Sequence, residues 1–155
     1  MEIRYLGHSA IQLVDGDVSV LVDPFLTGNP KATVDAGDIE ATSILLTHGH
    51  ADHIGDAVPI ALRTGATIQA ITEIAGEVAE DGASAIDTNI GGTATYDWGW
   101  ARLVPAFHTS TTPKGTITPP GGLVIGFGDT VIYHLGDTAL FSDLALPGRR
   151  QPIDI

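Results

Sequence analysis

Thr47-His48-Gly49-His50-Ala51-Asp52-His53 is the stretch of sequence on which the interpretation of the whole chain depends. Three of the six histidines fall within six consecutive residues, with an aspartate among them. Gly49 and Ala51 add no bulk, so the backbone can fold tightly around an ion. Imidazole and carboxylate groups together suit zinc, manganese or iron. A solvated polar loop in which Asp52 caps a helix is the alternative, but the spacing predicts a metal site.

The segments on either side of this stretch predict a sheet that carries it. Residues 43–47 form a short apolar strand pattern that ends at the histidines. Residues 54–63 keep apolar side chains at helical spacing, and Gly65 stands where a helix should stop. Strand and helix patterns then alternate to residue 80, as is typical of parallel α/β units, while turn signals further along predict antiparallel hairpins. Ligand sites in α/β sheets lie at the carboxyl ends of strands.

Two later strand ends carry side chains of the same chemistry. His108 follows a predicted strand at residues 102–106, and Asp137 follows one at residues 130–135. A strand-end histidine is often structural, and Asp137 could instead cap a following helix. Beside a cluster that needs another nitrogen ligand and a bridging carboxylate, we predict that both residues bind metal.

Three further residues are predicted to lie close to this site. His8 follows the first strand and is predicted to line the pocket, with a structural hydrogen bond as the alternative. Asp23 is predicted to orient a ligand histidine, or else only to start the turn before Pro24. His134 lies in a strand next to the Asp137 loop, where it either packs within the strand or supports the site.

Composition argues against several classes of function. The chain has 155 residues and a formal net charge of −12, from 7 Lys and Arg against 19 Asp and Glu. We therefore expect neither nucleic acid nor an anionic membrane surface as a partner. The absence of cysteine excludes disulfides, thiolate zinc sites and cysteine nucleophiles. Without a leader pattern or an apolar run of about 18 residues, we expect one cytoplasmic domain over residues 1–155.

These motifs together resemble a known family. The stretch at residues 47–53, with Leu-Gly-His-Ser at 6–9, Asp-Pro at 23–24, Pro-Ala-Phe-His at 105–108 and Gly-Asp-Thr at 136–138, is similar to the metallo-β-lactamase superfamily. More narrowly, the chain resembles the metal-dependent hydrolases related to L-ascorbate-6-phosphate lactonase. The resemblance covers essentially the whole chain in the same order. It implies an α/β fold, a four-layer αβ/βα sandwich with a dinuclear metal site at one edge.

The resemblance also implies how the ligands divide between two divalent ions. The first ion would be held by His48, His50 and His108, the second by Asp52 and His53, and Asp137 would bridge the two. One more histidine of the family pattern falls beyond residue 155. We therefore expect the C-terminal part of the domain to be supplied by a second chain, with a symmetric dimer of this chain as the alternative.

The predicted activity is hydrolysis of a small ester, lactone or phosphoester by a metal-activated hydroxide. Asp52 would orient the attacking water or carry its proton to the leaving group. Zinc is the expected metal, with manganese or iron as alternatives. The competing hypothesis is a non-catalytic metal-binding or interaction domain that retains the ligands.

Overall fold

Two β-sheets form the frame of the molecule, and the computed structural model describes residues 1–155. The six strands of the first sheet, in sheet order, are β1 (Glu2–Gly7), β2 (Ala10–Asp15), β3 (Val18–Val22), β4 (Ser43–Leu45), β5 (Thr67–Ile71) and β6 (Ser84–Thr88). Strands β1 to β3 are antiparallel, and β3 to β6 are parallel. The second sheet is antiparallel, with β7 (Thr93–Tyr96), β8 (Gly99–Pro105), β9 (Gly121–Phe127) and β10 (Thr130–His134) in the order β10-β9-β8-β7.

Helices pack on the outer face of the first sheet, and two short helical segments lie beside the second sheet. The helices α1 (Ala51–Ile54) and α2 (Ala57–Thr64) follow β4, and α3 (Thr72–Glu80) follows β5. The buried side chains of α2 and α3 join the core beneath the first sheet. A 3-10 helix (Ser142–Ala145) and α4 (Leu146–Arg150) share a groove with residues of the second sheet. This order of layers confirms the predicted αβ/βα sandwich, and no helix is long and apolar enough to cross a membrane.

The core fills the space between the two sheets and the interface of the first sheet with α2 and α3. A single cluster of 29 buried apolar residues includes Leu21 and Ile68 of the first sheet and Leu103 and Ile125 of the second. Removing this apolar surface from water is the main force that holds the sheets together. Polar contacts fix their relative position as well, since the Trp98 indole N–H donates a hydrogen bond of 3.0 Å to the Ser43 hydroxyl.

One helix predicted over residues 54–63 is divided in two in the structure. Gly55 has a φ of 44°, and a Cβ at this position would lie 2.5 Å from Phe25 Cα. The backbone of the loop after β3 therefore approaches the chain between α1 and α2 more closely than any side chain would allow. The Asp56 N–H donates to the Pro24 carbonyl at 2.9 Å, which fastens this loop beside the histidine cluster.

A helix starting directly after Asp137 is not observed, so the alternative role of Asp137 as a helix cap is wrong. The next helical turn begins only at Ser142. Residues 138 and 139 instead pair with the loop after β8, because the Phe107 N–H donates to the Thr138 hydroxyl and the Ala139 N–H donates to the Phe107 carbonyl, both at 2.9 Å. These bonds hold the Asp137 loop against the His108 loop.

Candidate metal centre

Loops from both sheets bring their histidines and aspartates to one edge of the sandwich. Three overlapping groups form there, and within each group the ligand atoms lie within 4.8 Å of one another. The groups are His48, His50 and His108; His48, His53 and Asp137; and His8, Asp52 and His53. All six residues predicted to bind metal are therefore brought together. His8 joins them, although its position in the sequence predicted only a place in the pocket wall.

The first group consists of three histidines from two different sheets. His48 Nε2 and His50 Nδ1 are 3.0 Å apart, and the His108 ring centroid lies 5.3 and 5.1 Å from those of His48 and His50. Two nitrogens bound to one tetrahedral zinc at about 2.05 Å would be roughly 3.3 Å apart. The nitrogen atoms of His48 and His50 are thus near the spacing that a shared ion needs.

His48 is kept neutral by its surroundings. Its ring is fully buried, and its Nδ1 lies 3.0 Å from the Thr47 hydroxyl. Burial and the neighbouring His53 and His50 lower the pKa of His48 from 6.5 to about 4, against the opposing pull of the nearby aspartates. A neutral imidazole has a free lone pair, so His48 is in the protonation state that metal binding requires.

His53 provides the observation that tests whether a metal fits. Its side chain is fully buried, its Nδ1 lies 2.8 Å from Asp23 Oδ2, and its Nε2 has no hydrogen-bond partner. Asp137 Oδ1 is the nearest carboxylate oxygen to that nitrogen, at 3.4 Å. A buried ring nitrogen without a partner costs free energy, and an ion bound between these atoms would remove that cost. The residues therefore fit a metal.

Asp23 contacts His53 at Nδ1, the ring nitrogen that does not face Asp137. It is completely buried with a φ of 45°, and its carboxylate accepts hydrogen bonds from the Thr47 N–H at 2.9 Å and the Thr47 hydroxyl at 2.6 Å. Burial alone would raise the pKa of Asp23, but the bond with His53, the charges of His134 and His53, and the Thr47 bond outweigh it and lower the pKa. An ionised carboxylate on Nδ1 raises the affinity of the opposite ring nitrogen for a cation.

The pKa of His53 itself is raised. Burial opposes the charged ring, but the hydrogen bond to Asp23 and the negative charges of Asp23, Asp137 and Asp52 more than compensate. The same negative potential that attracts a proton to His53 attracts a divalent cation. The net electrostatics of the edge therefore favour a bound cation.

Asp52 and His8 lie at the open rim of the cluster. Asp52 Oδ2 is 3.2 Å from His8 Nε2, and the two side chains are 50% and 40% exposed. The alternative role of Asp52 as a helix cap is wrong, because the N-cap position of α1 is His50 and no side-chain cap bond is formed there. The Asp52 carboxylate is therefore free to face the site.

His134 belongs to none of the three groups. Its Nε2 lies 3.0 Å from the Ser9 carbonyl, and its Nδ1 accepts a 3.3 Å bond from the Gly136 N–H. Gly136 has a φ of 63°, and a Cβ there would lie 2.6 Å from the Gly121 carbonyl oxygen. His134 thus ties the turn that carries His8 to the loop that carries Asp137.

Two supporting residues were missed by sequence reasoning. Thr47 connects the Asp23 carboxylate to the His48 ring through one hydroxyl. The Ser110 hydroxyl accepts a 2.9 Å bond from the Gly49 N–H and lies 2.5 Å from the Thr118 hydroxyl, all in buried surroundings. The only sequence signal for Thr47 is a polar residue at the end of an apolar strand. Nothing in the sequence indicates that Ser110 supports the histidine loop.

The lowered pKa of His48 leads to a prediction about the metal-free protein. We expect its ring protons to titrate near pH 4 in an NMR titration, against an ordinary value of 6.5. The unfolded chain takes up a proton on His48 near pH 6.5, whereas the folded chain does so only near pH 4. The free energy of unfolding therefore falls as the pH drops from 6.5 towards 4. A pKa difference of this size corresponds to roughly 3 kcal/mol. A His48 midpoint at its ordinary value in the folded, chelator-treated protein would contradict the prediction.

Comparisons with known proteins agree with the fold and identify the family. A sequence model of the beta-lactamase superfamily domain matches residues 2–155. A UPF0173 metal-dependent hydrolase of Thermus thermophilus is 46% identical over 149 residues, which are 96% of this chain and 66% of that protein. A UPF0173 metal-dependent hydrolase of Shouchella clausii is 43% identical over 162 residues, covering 100% of this chain and 71% of that protein.

A solved structure is similar as well. The metallo hydrolase of the hyperthermophilic archaeon Ignicoccus hospitalis superimposes with a TM-score of 0.80 at 33% identity, over 95% of this chain and 65% of that one. This chain thus spans about two thirds of the length of the relatives it matches. The predicted resemblance is confirmed: the chain belongs to the beta-lactamase superfamily domain family and, within it, to the UPF0173 metal-dependent hydrolases.

Proposed function

We propose that this chain forms the metal-binding part of a hydrolase that uses a metal-activated hydroxide on a small ester, lactone or phosphoester. The observation that carries the proposal is the set of three overlapping ligand groups around the partnerless, buried Nε2 of His53. The names of the relatives as metal-dependent hydrolases support the same chemistry for this chain.

The geometry supports two metal positions rather than one. Asp137 lies between the groups, with Oδ1 3.4 Å from His53 Nε2 and Oδ2 3.5 Å from His108 Nε2. Its two oxygens therefore face two different histidines, as a bridging carboxylate requires. We assign the first position to His48, His50 and His108 and the second to Asp52 and His53, with Asp137 shared.

The donor set favours zinc. Five imidazoles and two carboxylates converge, and the chain contains no thiolate. Such nitrogen and oxygen ligands suit zinc first, with manganese and iron as alternatives. When bound, a pair of such ions lowers the pKa of water towards neutrality and polarises a carbonyl or phosphoryl oxygen.

The chain's own residues account for proton transfer and for alignment. Asp52 is half-exposed at the rim, so its carboxylate can accept a proton from water and pass it to the leaving group. Asp23 stays ionised in the interior and holds His53 in one tautomer, with its proton on Nδ1. The neutral His48 ring keeps its lone pair available throughout the physiological pH range.

Elemental analysis and a substrate panel test this function. Protein purified without added metal is expected to contain two equivalents of metal per chain, with zinc predominant. We expect it to hydrolyse at least one of an aryl ester, a lactone and a bis-aryl phosphodiester, to lose activity on chelation and to regain it with zinc or manganese. Metal-replete protein with no turnover on any of the three classes would contradict the hydrolase and favour a non-catalytic metal-binding domain.

A further inference from the structure

His8 occupies a strained turn that aims it at the metal cluster. It joins β1 to β2 and has a φ of 55°, in the left-handed region that residues other than glycine rarely adopt. The preceding Gly7 has a φ of 110°, and a Cβ there would lie 2.5 Å from the Lys31 carbonyl oxygen. Backbone strain of this kind persists only where the surrounding structure fixes it. The direction of the His8 side chain is thus set by the fold.

Contacts on both sides of the turn hold it in place. The Thr33 N–H donates to the Leu6 carbonyl at 3.2 Å, and the Ser9 carbonyl lies 3.0 Å from His134 Nε2. The His8 ring lies edge-on to Phe25 and to His53, with centroid distances of 6.0 and 5.2 Å. The ring therefore lies between the loop after β3 and the buried histidine of the second metal position.

We propose that His8 is a ligand of the second metal position, together with Asp52 and His53. This inference rests on the proposed function. The ligand atoms of the three residues lie within 4.8 Å of one another, and His8 Nε2 is 3.2 Å from Asp52 Oδ2. Two imidazoles and one carboxylate form a set that binds zinc, manganese or ferrous iron. With Asp137 shared, the second position has four protein ligands from this chain alone.

A simple hydrogen bond from His8 to Asp52 would account for one distance but not for the arrangement around it. Such a bond does not explain why a ligand atom of His53 also lies within 4.8 Å of those of His8 and Asp52. It also needs no convergence of three ligand atoms. An ion held by His8, Asp52 and His53 accounts for the convergence, and with Asp137 shared it is the same ion that satisfies the buried His53 nitrogen.

Cobalt titration of three forms of the protein separates a ligand from a hydrogen-bonding residue. The forms are the wild type, His8→Asn and His8→Cys, each first freed of metal. Asparagine tolerates a positive φ, so His8→Asn keeps the turn and removes the ligand nitrogen. Because the chain has no cysteine, a thiolate-to-cobalt absorption band can arise only from residue 8 in His8→Cys. Circular dichroism checks that all three forms are folded.

We expect the wild type to bind two equivalents of cobalt. His8→Asn should bind the second equivalent at least about tenfold more weakly, comparable with the loss on disturbing a metal site's supporting residues. His8→Cys should restore the second equivalent and show the charge-transfer band. Two tightly bound equivalents in His8→Asn, or cobalt-loaded His8→Cys without the band, would overturn this inference alone. A wild type that binds no cobalt would overturn the proposed function and this inference together.

Discussion

Replacing His50 by alanine is expected to remove most of the bound metal and to leave both sheets folded. His50 Nδ1 lies 3.0 Å from His48 Nε2, in the group that also contains His108. Losing one of three nitrogen ligands should weaken metal binding by roughly a thousandfold or more, since residues that merely support a ligand already account for 10–100-fold. The side chain makes no helix-cap bond, so its removal does not expose the start of α1.

Metal content and thermal unfolding of purified His50→Ala test this expectation. Thr109→Ala is the matched control, because the Thr109 hydroxyl lies 3.5 Å from His50 Nε2 but offers no nitrogen ligand. That variant should keep its metal to within about tenfold in affinity. Wild-type metal content in His50→Ala would refute the assignment of His50 as a ligand.

The largest loss of stability is expected for Asp23→Ala. The substitution removes the only carboxylate that the buried His53 Nδ1, the Thr47 hydroxyl and the Thr47 N–H contact. Breaking a buried, hydrogen-bonded charge pair costs about 3–5 kcal/mol because the remaining partner stays buried. Chemical denaturation in the presence of a chelator measures this loss without a contribution from metal. His53 also loses its orientation, so metal affinity should fall 10–100-fold.

Asp56→Ala provides the control for this effect. Asp56 is also a buried carboxylate, and it accepts hydrogen bonds from the Leu26 and Thr27 N–H groups at 2.9 and 2.8 Å. It contacts no histidine, so its removal should cost about 1–3 kcal/mol of stability and leave metal affinity unchanged. Equal losses of metal affinity in Asp23→Ala and Asp56→Ala would show that Asp23 acts only through general stability.

The pH dependence of stability gives Asp23 a second signature. Its pKa is lowered in the folded state, so its contribution is present above the ordinary aspartate value of 3.8 and is lost as the pH falls through the lower folded value. The Asp23→Ala variant lacks this contribution at every pH. The stability difference between the wild type and Asp23→Ala should therefore shrink as the pH falls through the folded pKa of Asp23.

Local signals allowed much of the fold to be predicted from sequence. The strand and helix patterns that alternate to residue 80 correspond to β5 and to α3, which ends at Glu80. The break at Gly55 was missed, because the reason for it is the approach of Phe25 from a distant part of the chain. The strand Ser84–Thr88 was missed as well, because none of its residues is fully buried and no apolar pattern marks it; pairing with β5 creates this strand.

The sequence by itself determined which atoms are available for chemistry. The sequence concentrates imidazole and carboxylate groups in residues 48–53, and it has no thiol and no basic patch. These properties already define a metal site of nitrogen and oxygen ligands. These properties belong to side chains and their spacing along one loop, so they do not depend on the rest of the fold. Only the tertiary structure decided which distant groups join that loop. Asp23, His8 and Ser110 lie in three separate segments. Hydrogen bonding and burial between sheet edges join them to that loop, and one-dimensional spacing does not encode these contacts.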